Sequence, residues 1–240
     1  MRHLYKQNIV LSATAILASI YLLVSCFQAD ENLVFVGRID GRLTQLLSDA
    51  PSTFRLEINS GGGFTVDALE AAKVALAKEM EVTVRGRCLS ACSEFILPAG
   101  DKIVFIDSPL IGFHWSPLMD RNQFELAKEA DHYCAFTAAG AQERLYDTQG
   151  INKEFWREAE KRLVTTHYRL IDTLSDCPDK SRGFLNRLWL PTSEQLREKM
   201  GLVFEGKVCA DDHDSCVARI DQIWDSGDRI VVGDTVHVVQ

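Results

Sequence analysis

The chain has 240 residues, of which 46% are hydrophobic and 25% charged, enough apolar sequence for one large domain with a buried core. The formal net charge is −8, and no basic segment interleaved with aromatic residues occurs. These properties argue against a nucleic-acid-binding protein.

The N-terminal segment has the pattern of an export signal. Two cations, Arg2 and Lys6, precede an uncharged, largely apolar run over residues 9–25. The run is shorter than the ~20 residues that span a bilayer, so an uncleaved anchor is the second choice to a signal peptide over residues 1–25. The end of the run, "LVSC", resembles a bacterial lipobox in which Cys26 is lipidated, the alternative being an ordinary signal peptide with an incidental cysteine.

Strand and helix patterns alternate from residue 31 to residue 114. Strands that alternate with helices along the chain usually form β-α-β units, in which each helix is a right-handed crossover between two parallel strands. The order therefore predicts an α/β domain with a largely parallel sheet. The predicted strands are residues 31–40, 54–59, 81–84, 102–106 and 110–114, and the predicted helices are residues 42–48, 64–80 and 90–97.

The rest of the chain mixes helical and β patterns. Residues 120–175 have a mostly helical pattern, broken at "DTQGIN". The segment "TSEQLREKMGLV" has a capping-box pattern at its start and a glycine at its end, which predicts a helix that stops at Gly201. The tail alternates in β fashion with turns at "ADDHDSC" and "SGD", so we expect a main domain over residues 31–203 and a β-rich extension over residues 204–240.

Two turns rich in small residues lead from a strand into a helix. The glycines of "SGGG" (residues 60–63) free backbone N–H groups to face a cleft, although a simple tight turn would use the same residues. Ser90 lies in the second turn, where an ordinary helix N-cap is the alternative to a nucleophile. The carboxyl ends of parallel strands share one edge of the sheet, so both turns would face one crevice.

A serine nucleophile needs a base. His114 follows the last predicted strand and is the first candidate, although a histidine at a strand end is often structural. His132, His167, His213 and His237 lie in charged or edge contexts and are weaker candidates. Lys128 would serve a Ser-Lys pair, and a solvated helical lysine is the alternative interpretation of that residue.

The cysteines suit an oxidising compartment. Six remain after Cys26, an even number that permits up to three disulfides. Cys88 and Cys92 flank Ser90 and could bridge across an irregular turn, and the cysteines that bracket the acidic "CADDHDSC" loop are the easiest further pair to close. No second pair at zinc spacing accompanies them, so we expect no metal and no cofactor. The disulfide candidates are Cys88, Cys92, Cys134, Cys177, Cys209 and Cys216.

Three blocks together resemble the proteolytic subunit of the Clp protease and the wider ClpP/crotonase fold. They are "INSGGG" (58–63), "GRCLSACSEFILPAG" (86–100) and "DSPLIGFHWSP" (107–117), in the order and spacing of the family's signature blocks. "LWLPTSEQLREKMGLV" (188–203) resembles a fourth block more faintly. Exported ClpP-like proteins with a Cys-x-Ser-Ala-Cys block are similar to the second block in particular.

The resemblance implies roles for individual residues. Ser90 takes the position of the nucleophile, His114 that of the general base, and Gly63 and Ala91 those of the oxyanion N–H donors. The family's aspartate has no acidic counterpart at its usual place before the fourth block. The candidates for a third member are Asp172, Asp176, Asp179 and Asn186.

These patterns lead us to expect a ClpP/crotonase-like α/β fold with a helical segment and a small C-terminal β extension. The expected function is that of an exported serine hydrolase, an ATP-independent peptidase with a Ser-His dyad or triad, on the periplasmic side of the bacterial envelope. Its partners would be peptide or protein substrates and further copies of itself, and its membrane contact would be limited to the N-terminal signal or lipid. The alternatives are a catalytically degenerate ClpP-like binding or scaffolding module and, less readily, crotonase-type acyl-CoA chemistry, whose substrate is not expected outside the cytoplasm.

Overall fold

The structure is a computed structural model that describes residues 31–114, 116–118, 133–163 and 188–240, without the side chains of residues 133–137. Residues Asn32–Gln240 form one compact unit. No helix within the described residues is long and apolar enough to cross a membrane.

A four-stranded sheet forms the first half of the described chain. Its strands lie in chain order, β1 to β4, and β2 pairs in parallel with β3 as β3 does with β4. Helices α1 and α2 make the first two connections, so the predicted β-α alternation is confirmed as an α/β architecture with a parallel sheet. The elements are β1 Glu31–Val36, α1 Gly41–Asp49, β2 Thr53–Ser60, α2 Thr65–Leu76, β3 Glu79–Leu89 and β4 Lys102–Gly112.

Local sequence explains these elements. In β2, every second residue is buried, as the alternation of "FRLEIN" predicts. Helix α1 begins after Asp40, whose carboxylate caps the helix by accepting from the Arg42 N–H. Helix α2 buries only alanines (Ala68, Ala71, Ala72 and Ala75), whose small side chains let the helix pack closely against its neighbours.

The third connection differs from the prediction. The apolar helix expected over residues 90–97 is a π-helical turn, Cys92–Ile96. The two strands expected at 102–106 and 110–114 are one strand, β4, with an irregularity at Asp107 and Ser108, whose φ angles are 57° and 50°. The neighbouring parallel strand, β3, shifts register between Arg85 and Arg87, where Gly86 has a φ of 85°. Matching irregularities keep the two strands paired beyond them.

Two helices and an aromatic cluster follow the sheet. Helices α3 (Tyr133–Gln149) and α4 (Phe155–Leu163) are separated at Gly150, in agreement with the predicted break at "DTQGIN". The ring of Phe113, just after β4, lies 4.8 Å from that of Phe155, and Phe155 stacks on Trp189 at 5.1 Å. These contacts join the end of β4 to α4 and to the next strand.

A second sheet contains the C-terminal strands. Strand β5 (Leu188–Leu190) pairs in parallel with β6 (Arg229–Val232), which pairs antiparallel with β7 (Thr235–Val238). The predicted capping box is present at Thr192 and Gln195, and its helical segment ends at Gly201 with a φ of 79°. The expected turn at "ADDHDSC" is instead the start of α5 (His213–Ile220), because Asp212 caps the helix by accepting from the Ser215 N–H.

Candidate active site

Ser90 occupies a strained turn between β3 and the π-helical turn. Its φ of 55° is unusual for a residue other than glycine, and such strain is found at nucleophile turns that project a side chain from a sheet edge. The Ser90 N–H donates to the Gly112 carbonyl at 2.8 Å. The Ser93 hydroxyl donates to the carbonyls of Ser90 and Gly112 at 2.9 and 2.6 Å. Ser93 is therefore a support of the turn that sequence reasoning missed.

His114 lies next to Ser90. Its Nε2 is 2.7 Å from the Ser90 Oγ, a hydrogen bond between two half-buried side chains. The register of the sheet explains the contact. Leu89 pairs with Gly112 at the ends of β3 and β4, so Ser90 and His114, which follow these strands, lie at the same edge of the sheet. The tautomer that accepts the serine proton carries its own proton on Nδ1. The structure thus brings together the serine and the histidine that the sequence blocks predicted as partners.

The glycine turn contacts Ser90 through Gly62. Gly62 has a φ of 97°, and a Cβ built on it would lie 2.7 Å from the Ser90 Cβ. Gly63 pairs instead with Ile39, since the Ile39 N–H donates to the Gly62 carbonyl and the Phe64 N–H to the Ile39 carbonyl. This pairing leaves the Gly63 N–H out of the bridge. Within the described residues, neither the Gly63 nor the Ala91 N–H donates a hydrogen bond.

A crevice of about 600 Å³ opens at Ser90 and His114. The glycine turn and Leu89 border it, as expected for a site at the carboxyl edge of the sheet. Sequence reasoning missed the other lining side chains, which are Arg38, Arg87, Leu188 and Trp224. Arg38 and Trp224 lie outside the sequence blocks, whereas Arg87 and Leu188 lie within the second and fourth blocks but were assigned no role.

The cysteines differ in state. Cys88 and Cys92 form a disulfide that spans Ser90. Cys209 and Cys216, expected as a disulfide, are both buried thiols. Their contact lowers the pKa of Cys209 through a hydrogen bond from Cys216, with Arg219 adding to the effect, and raises that of Cys216.

Several predicted residues lie outside the described part of the chain. They are Cys26, Lys128, His132, His167, Asp172, Asp176, Cys177, Asp179 and Asn186, and the side chain of Cys134 is not described either. Within the described ranges, no group of three or more histidine, cysteine or acidic side chains has an arrangement that could hold a metal ion.

The arrangement supplies three parts of an acyl-transfer site. They are a hydroxyl in a strained turn, an imidazole within hydrogen-bond distance and two N–H groups without a described acceptor. No protein-family model matches the chain, and no curated protein matches it significantly.

Proposed function

We propose that this chain is a serine hydrolase, and specifically a peptidase with a ClpP/crotonase-like fold. The observation that carries the proposal is the 2.7 Å hydrogen bond between the Ser90 Oγ and the His114 Nε2, made from a serine with a φ of 55°. A serine in an ordinary N-cap would need neither the strained backbone nor the imidazole.

In the proposed reaction, the Ser90 Oγ attacks the carbonyl carbon of a peptide bond while its proton passes to the His114 Nε2. The carbonyl oxygen becomes an oxyanion. The imidazolium then gives its proton to the leaving amine, and an acyl-serine remains. Water attacks the acyl-serine with His114 again as base, which releases the acid and restores the hydroxyl.

The oxyanion would be stabilised by the N–H groups of Gly63 and Ala91. Ala91 directly follows the nucleophile, a position that supplies an oxyanion donor in other strand-turn-helix serine sites. Gly63 belongs to the turn that contacts Ser90. Fixed donors of this kind contribute about 3–4 kcal/mol each to lowering the barrier of acyl transfer.

The proposed compartment is the periplasmic side of a bacterial envelope. The signal-like segment over residues 1–25 supports export, and a Cys88–Cys92 disulfide suits an oxidising compartment. ATP is not expected there, so the proposed proteolysis is independent of an ATP-driven unfoldase.

The test is covalent labelling of the purified protein with an uncharged alkyl fluorophosphonate, followed by peptide mapping. We expect one adduct, on Ser90. Ser90→Ala should abolish it, and His114→Ala should slow it by roughly 10²–10⁴-fold. Ser48→Ala is the matched control, because Ser48 is an exposed serine on α1 whose hydroxyl donates only to the Thr44 carbonyl. A folded protein without an adduct on Ser90 would contradict the proposal and favour a binding module.

A further inference from the structure

Two arginines line the crevice beside Ser90. Arg38 follows β1, and its guanidinium carbon lies 3.9 Å from the centre of the Phe64 ring, directly after the glycine turn. Arg87 lies in β3, and its guanidinium carbon is 3.8 Å from where a Cβ of Gly61 would be. Both guanidinium groups therefore border the same glycine turn, which contacts the proposed nucleophile.

Neighbouring arginines form close ion pairs with carboxylates, whereas Arg38 and Arg87 form none among the described residues, although the charge of Arg38 still acts on Asp40 from a greater distance. Arg85 forms ion pairs with Glu57 and Asp107, at 3.1 and 2.8 Å. Arg42 forms an ion pair with Asp40, the acidic side chain nearest in sequence to Arg38. Within the described residues, Arg38 and Arg87 form no ion pair.

The charge of the crevice opposes that of the whole molecule. Among the described residues that line it, two are arginines and none is acidic, although the chain carries a net charge of −8. Positive groups at the wall of a concave site concentrate anionic ligands there. Guanidinium groups also match the planar geometry of a carboxylate.

We propose that the crevice selects substrates with a carboxylate close to the scissile bond, bound by Arg38 and Arg87. The inference rests on the proposed hydrolase function, because the carboxylate belongs to the molecule that Ser90 attacks. The carboxylate has two sources in peptides, an aspartate or glutamate side chain or the chain's own C-terminus.

The first experiment compares two fluorophosphonates that differ only at the end of the alkyl chain, which carries a carboxylate or a carboxamide. We expect wild-type protein to react about tenfold faster with the carboxylate probe, a difference that corresponds to ~1.4 kcal/mol. Because both arginines are exposed, the ratio of the two rates should fall as salt is added. Equal rates, or a faster reaction with the carboxamide, would overturn the inference.

Arginine variants test the origin of the ratio. In Arg38→Gln/Arg87→Gln the ratio should fall to about one, and each single variant should lie between. Because the readout is a ratio measured on one protein, a general loss of reactivity does not affect it. Arg157→Gln is the matched control, since Arg157 is an exposed arginine on α4 paired with Glu154, and its ratio should equal that of the wild type. A double variant with the wild-type ratio would overturn the assignment.

Competing peptides identify the source of the carboxylate. One peptide has an internal glutamate and an amidated C-terminus, the second a glutamine and a free C-terminus, and the third a glutamine and an amidated C-terminus. Slower labelling with the first peptide assigns a side-chain carboxylate, and slower labelling with the second assigns a C-terminal one. Equal protection by all three would overturn the inference.

Binding to Ser90→Ala separates the two proposals. Fluorescence anisotropy of the same three peptides, labelled with a dye, does not depend on the nucleophile. An acidic preference without any labelling of wild-type Ser90 would defeat the hydrolase proposal and keep the carboxylate site. Labelling of Ser90 without an acidic preference would defeat only the carboxylate site.

Discussion

Ser90 keeps a left-handed backbone that costs a residue with a Cβ about 1–2 kcal/mol. Hydrogen bonds on both sides hold it there. Its N–H donates to Gly112, and its carbonyl accepts from the Ser93 hydroxyl and the Glu94 N–H. These hydrogen bonds hold the strained backbone of Ser90 in place. The resulting conformation directs the hydroxyl towards His114, as a nucleophile requires.

Gly62→Ala should impair this geometry more than it impairs folding. A methyl group there would meet the Ser90 Cβ and the Leu89 carbonyl at 2.7 Å, so Ser90 must move. We expect fluorophosphonate labelling to fall by roughly 100-fold or more. Gly227→Ala is the control, because Gly227 has a similar φ of 93° and open space around it. Both variants should lose about 1–2 kcal/mol of stability in urea unfolding from the backbone alone, and equal labelling of the two would contradict the prediction.

At the residue scale, the sequence predicted Ser90 and His114 as partners because each belongs to a recognisable block. Ser90 and His114 are each part of a block with a defined place after a strand, so their proximity follows from strand register. Arg38 and Trp224 could not be found in this way, because each comes from a segment outside the blocks. Arg87 lies in the same block as Ser90, but only the three-dimensional fold shows that it shares the crevice with Arg38 and Trp224.

At the scale of the elements, the Cys88–Cys92 disulfide closes the turn that contains Ser90. Closing so short a loop is expected to contribute about 2 kcal/mol by restricting the unfolded chain. Cys88→Ser/Cys92→Ser should lower the free energy of unfolding by about that amount and slow labelling of Ser90. Reductant should have the same effect on the wild type and none on the double variant, which controls for the other cysteines. Labelling that ignores both changes would contradict a role in positioning Ser90.

An ion cluster joins three strands through Glu81. Its carboxylate lies 2.5 Å from Arg55 of β2 and 3.2 Å from Lys102 of β4. Burial alone would raise the pKa of Glu81, but hydrogen bonds from Arg55 and Lys102 outweigh burial and lower it below 4.5. The cluster therefore stabilises the fold above the unfolded pKa, and its contribution disappears as pH falls through the lower folded pKa.

Glu81→Gln should thus destabilise the protein by about 1 kcal/mol at neutral pH. Urea unfolding should show this deficit shrinking as pH falls below 4.5, because the wild-type carboxylate then also becomes neutral. Glu57→Gln is a control in which a more exposed carboxylate with a single partner, Arg85, is removed, and its deficit should be smaller. A Glu81→Gln deficit of the same size at acid and neutral pH would argue against the electrostatic origin.

The sequence predicted element boundaries correctly where a local signal, such as the alternation of buried side chains or a capping residue, determines them. The alternating residues of β2 and the capped start of α1 are local signals. The single strand β4 was missed because its irregularity at Asp107 and Ser108 resembles a turn in sequence, whereas pairing with β3 carries the strand through it. Helix α5 was missed because the acidic residues that suggest a turn instead cap a helix.

On the scale of the whole molecule, the C-terminal segment supports the site. Arg219 of α5 donates to the Ser108 carbonyl at 2.6 Å and to the Gly86 carbonyl at 3.3 Å, the irregular positions of β4 and β3. Trp224, shortly after α5, lines the crevice. These contacts depend on chain segments more than 100 residues apart, which is why no local pattern predicted them.

Arg219→Gln should therefore affect both stability and the site. We expect a loss of about 1–2 kcal/mol in urea unfolding, since two backbone carbonyls lose a charged donor. Labelling of Ser90 should slow as well, because the irregular positions determine the course of the last residues of β3 and β4, which lead into Ser90 and His114. The exposed Arg157→Gln should change stability by less than about 0.5 kcal/mol. Equal effects of the two substitutions would show that Arg219 does not support the strands.

The most direct test of the central claim is cleavage of a defined peptide library by the purified protein, with new termini identified by mass spectrometry. We predict peptide-bond cleavages that are present with wild type and Ser48→Ala and absent with both Ser90→Ala and His114→Ala. Cleavages that persist in Ser90→Ala, or a wild-type protein labelled on Ser90 that cuts no peptide bond, would contradict a peptidase built on Ser90 and His114.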